Sequence, residues 1–165
     1  MSLVFLLGGA RSGKSALAVE LARAEGGPVT LIATAEARDA EMAERIALHR
    51  AERPVEWTTV EETLGLDAAI RAVPEQDVLV VDCLSLWVAN MLERANVEEL
   101  ARTAAESARR RATLTVAVSN EVGLGVVPPT ELGRRYRDVL GRVNAIWADA
   151  AERVSFVIAG RALPL

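Results

Sequence analysis

Residues 8–15, Gly-Gly-Ala-Arg-Ser-Gly-Lys-Ser, match the pattern G-x-x-x-x-G-K-[S/T] in full. Glycines let such a loop curl until backbone N–H groups converge on phosphate oxygens. The N-terminus of the helix that follows adds its positive dipole end. On this reading Gly8, Gly9, Ala10, Arg11, Ser12 and Gly13 cradle a triphosphate, Lys14 reaches the β- and γ-phosphates, and the Ser15 hydroxyl ligates Mg²⁺. Lys14 is the single lysine of the chain, against 18 arginines. A sequence that uses arginine at every other basic position has kept lysine where a compact, mobile cation is required.

Two further groups have a place in such chemistry. Asp82 closes the run Val78-Leu79-Val80-Val81, and an acid at the end of a buried strand is where a triphosphate site holds its magnesium shell. Cys83 follows it and reads as a packing residue rather than a nucleophile. His49 is the only histidine, and Arg45, His49 and Arg53 are spaced i, i+4, i+8. On a helix these three share one face to within about 80°. Positive groups so placed repel one another unless an anion compensates, and a polyphosphate is such an anion. A neutral imidazole is also a competent nucleophile at phosphorus, and neighbouring arginines stabilise charge on the phosphoryl oxygens. Spacing alone equally fits a solvated helix face with an incidental histidine.

The elements that must position these residues are legible as apolar runs between amphipathic segments. Leu3–Leu7, Pro28–Ala33, Trp57–Val60, Asp77–Val81, Leu114–Val118 and Val154–Ile158 read as strands, the third more weakly than the rest. Most are nearly continuous in Val, Ile and Leu, as parallel strands covered on both faces are. Helices are expected over Lys14–Ala24, Asp39–Arg50, Glu62–Ala72, Leu84–Arg111 with a break near Asn96, and Glu131–Ala151 after Pro128-Pro129. Alternating strand and helix predicts an α/β domain of the P-loop NTPase type, a mostly parallel sheet with helices on both faces, formed by residues 1–165 as one unit. Ligands in such sheets bind at the carboxyl ends of the strands. The phosphate loop, Asp82 and the segment Ser119-Asn120-Glu121-Val122-Gly123 all fall there.

Composition bounds the partners. The 165 residues are 51% hydrophobic with a formal charge of −4, which argues for a folded core and against a general nucleic-acid binder. The lone cysteine excludes an internal disulfide framework and a multi-cysteine zinc site, and suits a cytoplasmic setting. No stretch reaches the roughly 20 apolar residues of a membrane span. The apolar start, Leu3 to Leu7, is short and has no basic residue before it, so it is not read as a secretion signal. Arg134, Arg135 and Arg137 read as a solvated or intersubunit helix face. Trp57, Trp87 and Trp147 read as core or interface.

Taken together, GGARSGKS, IATA followed by D-x-E-M, R-I-x-x-H-R-x-x-R-P-x-x-W-x-T, V-D-C-L-S-L-W, S-N-E-V-G-x-G-x-V-P and R-D-V-L-G-R-V-N resemble one family along essentially the whole chain. It is the bifunctional adenosylcobinamide kinase / adenosylcobinamide-phosphate guanylyltransferase family of cobalamin biosynthesis. The resemblance implies two reactions. A nucleoside triphosphate, ATP or GTP, phosphorylates adenosylcobinamide. GTP then guanylylates a histidine, which matches His49, and the GMP passes to adenosylcobinamide phosphate to give adenosylcobinamide-GDP. It also implies nucleotide contacts at Thr34, Ala35, Glu36, Arg50 and Arg53. An acid that reads the guanine edge falls at Glu61 or Glu62, with Glu61 preferred. Asn120 and Glu121, at the carboxyl end of the fifth strand, are candidates to orient the phosphoryl acceptor or the metal shell. A homotrimer is implied, and without nucleotide the His49 helix is expected to be able to sit far from Lys14. A single-activity kinase of a small metabolite and a non-catalytic nucleotide-binding module are the alternatives.

Overall fold

Continuous apolar runs become a sheet whose strands feed two different cores, because successive side chains point to opposite faces. In β1 (Leu3–Gly8), Leu3, Phe5 and Leu7 enter one core while Val4 and Leu6 enter the other. The computed structural model describes residues 3–37, 40–51, 53–94 and 96–165, with the backbone alone at residues 41, 42, 45 and 49. The elements that follow are α1 (Lys14–Glu25), β2 (Val29–Ala33), α2 (Ala40–Ala51), β3 (Thr58–Glu61), α3 (Leu66–Ala72) and β4 (Val78–Asp82). Then come α4 (Leu84–Met91), α5 (Val97–Arg110), β5 (Thr115–Asn120), α6 (Glu131–Ala150), β6 (Arg153–Ile158) and β7 (Arg161–Pro164).

The strands form one sheet in the order β3-β2-β4-β5-β1-β6-β7. All neighbours are parallel except β6 and β7. α3, α4, α5 and α6 cover one face, where Trp87 and Trp147 are fully buried. α1 covers the other through Ala18 and Ala22, with Trp57 in the same layer. The arrangement is the expected mostly parallel α/β fold. Among the described residues no helix is long and apolar enough to cross a membrane.

Three local expectations are corrected, and the expected break near Asn96 is found. α3 begins at Leu66 rather than Glu62, because the Glu62 carboxylate accepts hydrogen bonds from the backbone N–H groups of Leu64 and Gly65, at 2.9 and 2.8 Å, and closes a turn there. Trp57 lies in a turn before β3, its N–H bonded to the Pro54 carbonyl at 3.1 Å. The segment 84–111 is two helices, separated where Asn96 takes a left-handed φ of 64°. The seventh strand, β7, was not expected: it is exposed along its length and ends in Pro164, so it has neither an apolar run nor the composition of an interior strand.

Candidate functional site

The phosphate loop joins the buried end of β1 to the first turn of α1. Two of its glycines are required by close approach. A Cβ on Gly8 would stand 2.3 Å from the Val157 carbonyl oxygen and 2.8 Å from Ser12 Oγ. Gly13 has φ of 100°, and a Cβ there would meet the Gly160 Cα at 3.1 Å. The loop is thus packed against the β6–β7 turn, where the Gly160 N–H donates to the Ser12 carbonyl at 2.8 Å. The Lys14 side chain is buried and folds back along the loop. Its ammonium donates to the Gly9 carbonyl at 2.6 Å and lies 3.3 Å from Ser12 Oγ. Burial lowers its pKa from the ordinary lysine value, and the nearby Asp82 carboxylate opposes that shift. Ala10 and Arg11 are exposed at the loop's tip, Arg11 with a left-handed φ of 54°.

Asp82, the last residue of β4, is brought to this loop by the strand order. A cavity of about 380 Å³ lies between α1 and the β2–β4–β5 part of the sheet. Ser15, Asp82 and Arg53 are its polar lining, over Leu31, Val80 and Val118. Arg53 is half-buried, and that burial lowers its pKa from the usual arginine value. Asp82 acts against the shift, and Arg50 adds to it. Arg50 itself is exposed on α2 and ion-pairs with Glu61 at the end of β3. The structure therefore separates the two adjacent acids: Glu61 meets an arginine, whereas Glu62 is committed to backbone N–H groups. His49 lies on α2, but its side chain falls outside the described residues.

Thr34, expected as a nucleotide contact, is turned inward. Its side chain is fully buried, its hydroxyl donates to the Cys83 carbonyl at 2.6 Å and it accepts from the Cys83 N–H at 3.1 Å. The Thr34 carbonyl accepts from Asn90 Nδ2 at 2.8 Å. Thr34 thus ties the end of β2 to the Asp82–Cys83 corner. Ala35 and Glu36 follow it outward, half-buried and exposed. Burial, first of all, and the Asp82 charge push the Cys83 thiol pKa up, so it stays a neutral packing group.

At the end of β5, Asn120 pairs in register with Gly8, and the Glu121 N–H donates to the Gly8 carbonyl at 3.0 Å. Asn120 Nδ2 donates to Ser85 Oγ at 3.1 Å. The Glu121 carboxylate accepts from the Gly123 N–H within its own loop. Sequence reasoning missed Ser85, Asn90, Tyr136 and Asn144, which fix these strand ends. Tyr136 donates to the Ser85 carbonyl at 3.1 Å, and burial pushes its pKa up to about 12. The available signal was a polar residue, Asn144, on the buried stripe of α6 among Val139, Leu140, Val143 and Trp147. Of the basic cluster, Arg134 holds the carbonyls of Pro128 and Pro129 at 3.0 Å each, and Arg137 pairs with Asp138 at 2.8 Å.

Residues 4–165 match the family model described as cobinamide kinase / cobinamide phosphate guanyltransferase. The chain is 47% identical to the bifunctional adenosylcobalamin biosynthesis protein CobP of Pseudomonas aeruginosa, covering 97% of this chain and 95% of that one. It is 38% identical to the bifunctional adenosylcobalamin biosynthesis protein CobU of Escherichia coli, covering 96% of each. The fold is similar to that of the flagellar accessory protein FlaH from Methanocaldococcus jannaschii, with a TM-score of 0.57 and 16% identity over 99% of this chain and 77% of that one. The RadB recombinase gives a TM-score of 0.54 and 14% identity over 94% of this chain and 73% of that one.

Proposed function

The chain belongs to the cobinamide kinase / cobinamide phosphate guanyltransferase family, and from that membership we propose that it performs both reactions with one phosphate loop. ATP or GTP phosphorylates the aminopropanol hydroxyl of adenosylcobinamide. GTP then gives its guanylyl group, by way of His49, to the phosphorylated corrinoid, and adenosylcobinamide-GDP is the product. The observation that carries this reading is the convergence of Ser15, Asp82 and Arg53 about one cavity beside the loop that carries Lys14, with the Arg50–Glu61 pair on the neighbouring elements.

In the kinase step the acceptor oxygen bonds to the γ-phosphorus, the bond from that phosphorus to the β–γ bridging oxygen breaks, the nucleoside diphosphate leaves and the hydroxyl proton is released. The loop's N–H groups and Lys14 offset charge on the transferring phosphoryl. In the guanylyl step an imidazole nitrogen of His49 bonds to the α-phosphorus and pyrophosphate leaves. A phosphate oxygen of the corrinoid then displaces the imidazole, which is restored. Arg50 and Arg53 offset charge at the α-phosphate. Glu61 accepts from guanine N1–H and N2–H, a pairing adenine cannot offer. Glu62 already accepts hydrogen bonds from the backbone N–H groups of Leu64 and Gly65, which favours Glu61 for that role. Ala35 and Glu36 border the nucleotide from the end of β2. Ser15 and Asp82 are hard oxygen donors at a common cavity, the donor set Mg²⁺ takes. They would hold it, and when bound it would supply charge neutralisation along the triphosphate.

Incubating the enzyme with labelled GTP and magnesium tests the reading. A covalent GMP adduct, labile in acid and stable in alkali, is expected on the peptide carrying His49. In His49→Ala the adduct disappears while ATP-dependent phosphorylation of cobinamide persists, and in Lys14→Ala both activities are lost. Product formation with no adduct would overturn the histidine route. Phosphorylation without any guanylyl transfer would leave a single-activity kinase.

The same reading makes residues 1–165 one folding unit that works as a trimer in the cytoplasm, where nucleoside triphosphates are supplied. A corrinoid is large for a chain of this length to enclose, so a site completed between subunits follows. Light scattering on the purified protein measures the number of copies.

A further inference from the structure

We infer that Asn144, in the C-terminal half of α6, is a positioning residue for the phosphoryl-transfer step, acting through the end of β5. This rests on the kinase activity proposed above and goes beyond it by assigning the R-D-V-L-G-R-V-N segment a part in the chemistry.

Asn144 is only 5% exposed and sits among Val139, Leu140, Val143 and Trp147, all of them buried. A carboxamide in such a place destabilises the fold unless its donors and acceptors are matched. Here they are matched on one short stretch of chain. Asn144 Oδ1 accepts from Ser119 Oγ at 2.7 Å, and Asn144 Nδ2 donates to the Asn120 carbonyl at 3.0 Å. Ser119 and Asn120 are the last two residues of β5.

That strand end stands between the two halves of the phosphate-handling machinery. β5 lies between β1 and β4; Asn120 is in register with Gly8 of the loop, and Val118 with Asp82. The next residue, Glu121, donates its N–H to the Gly8 carbonyl at 3.0 Å. The Asn120 carboxamide is itself bonded to Ser85 Oγ at the start of α4. Asn120 is thus held at its backbone from α6 and at its side chain from α4. It occupies the strand tip between Gly8 of the loop and Asp82, where the terminal phosphate of a loop-bound triphosphate and its incoming acceptor would meet. The Arg50–Glu61 pair, by contrast, lies at β3, three strands from β5, or roughly 14 Å at the usual strand spacing. Loosening the end of β5 therefore acts more strongly on transfer of the γ-phosphoryl group than on attack at the α-phosphorus, to which β5 is linked through the cavity that Val118 shares with Arg53. A residue that served stability alone would lower both activities together, in step with the folded fraction.

The test uses full-length Asn144→Asp, which keeps the acceptor for Ser119 and loses the donor to Asn120, together with Asn144→Leu and Ser119→Ala. Two rates are measured on each: ATP-dependent phosphorylation of cobinamide, and formation of the covalent GMP adduct from GTP without corrinoid. For Asn144→Asp, kcat for phosphorylation should fall by about ten-fold or more, since small misplacements of reacting groups are costly. KM for ATP should stay close to wild type, and the rate of adduct formation should fall by much less than kcat for phosphorylation. Ser119→Ala should shift the same rate in the same direction by less. If Asn144→Leu fails to fold, the other two variants decide. Phosphorylation by Asn144→Asp at the wild-type rate, or a parallel fall of both rates with melting temperature, overturns the inference alone. A wild-type enzyme that phosphorylates no cobinamide overturns the kinase reading and this inference with it.

Discussion

Glu62 accepts hydrogen bonds from the backbone of Leu64 and Gly65, while Glu61 beside it ion-pairs with Arg50. The two carboxylates therefore respond to the same substitution in different ways. The N–H of Gly65, and next that of Leu64, holds the Glu62 carboxyl below the ordinary carboxylate range. A depressed carboxylate stabilises the fold above its unfolded pKa, and that contribution is lost as pH falls through the lowered folded value. Glu62→Gln should thus lower stability at neutral pH by a small amount, roughly 0.5 kcal/mol, because solvent screens the carboxylate and the amide oxygen still accepts. Thermal melts compared across acid pH should show the gap to wild type closing below about pH 4, the ordinary range for glutamate. Glu61→Gln should leave stability at neutral pH nearly unchanged. It replaces a two-acceptor group with one acceptor and one donor, so KM for GTP should rise by about ten-fold, the loss expected from one mismatched charged hydrogen bond. KM for ATP in the kinase step should not move. Steady-state kinetics with the two nucleotides measures this.

At the scale of elements, the phosphate loop is held from both sides by strands far from it in sequence. Gly8 abuts the Val157 carbonyl of β6, whereas a Cβ on Gly9 would meet nothing within 4 Å. Gly8→Ala must push β1 and β6 apart and should destabilise the protein by about 1–3 kcal/mol, as overpacking does, with loss of nucleotide binding. Gly9→Ala should fold with near wild-type stability. Denaturant titration and GTP binding on the pair separate the two. The turn that shortens α3 has the same character: Glu62 looks like the first residue of an amphipathic helix, yet its side chain closes the turn before Gly65, and Leu66 starts the helix. β7 escaped the sequence pattern because an exposed edge strand needs no apolar alternation.

The whole molecule is two core layers that share one set of strands, since neighbouring residues of β1, β2, β4 and β5 face opposite ways. Neither layer can open without exposing the strands that support the other, so calorimetry should record a single unfolding transition for residues 1–165. A ligand at 100 times its dissociation constant stabilises the folded state by about 2.7 kcal/mol. GTP with magnesium should raise the melting temperature accordingly and have no such effect on Lys14→Ala. The sequence by itself determined the phosphate loop, the acid that ends β4, the order of the first six strands and of the helices along the chain, and the break near Asn96. These are set by residues adjacent to one another, through turn geometry, apolar periodicity and strand length. Only the tertiary structure decided that Glu61 rather than Glu62 meets an arginine, that Thr34 braces the Asp82–Cys83 corner, and that Asn144 holds Asn120 beside Gly8. Each of those depends on which strands become neighbours. β1 pairs with β5 and β6 rather than with β2, a choice made by burial on both faces at once and by no local stretch of sequence.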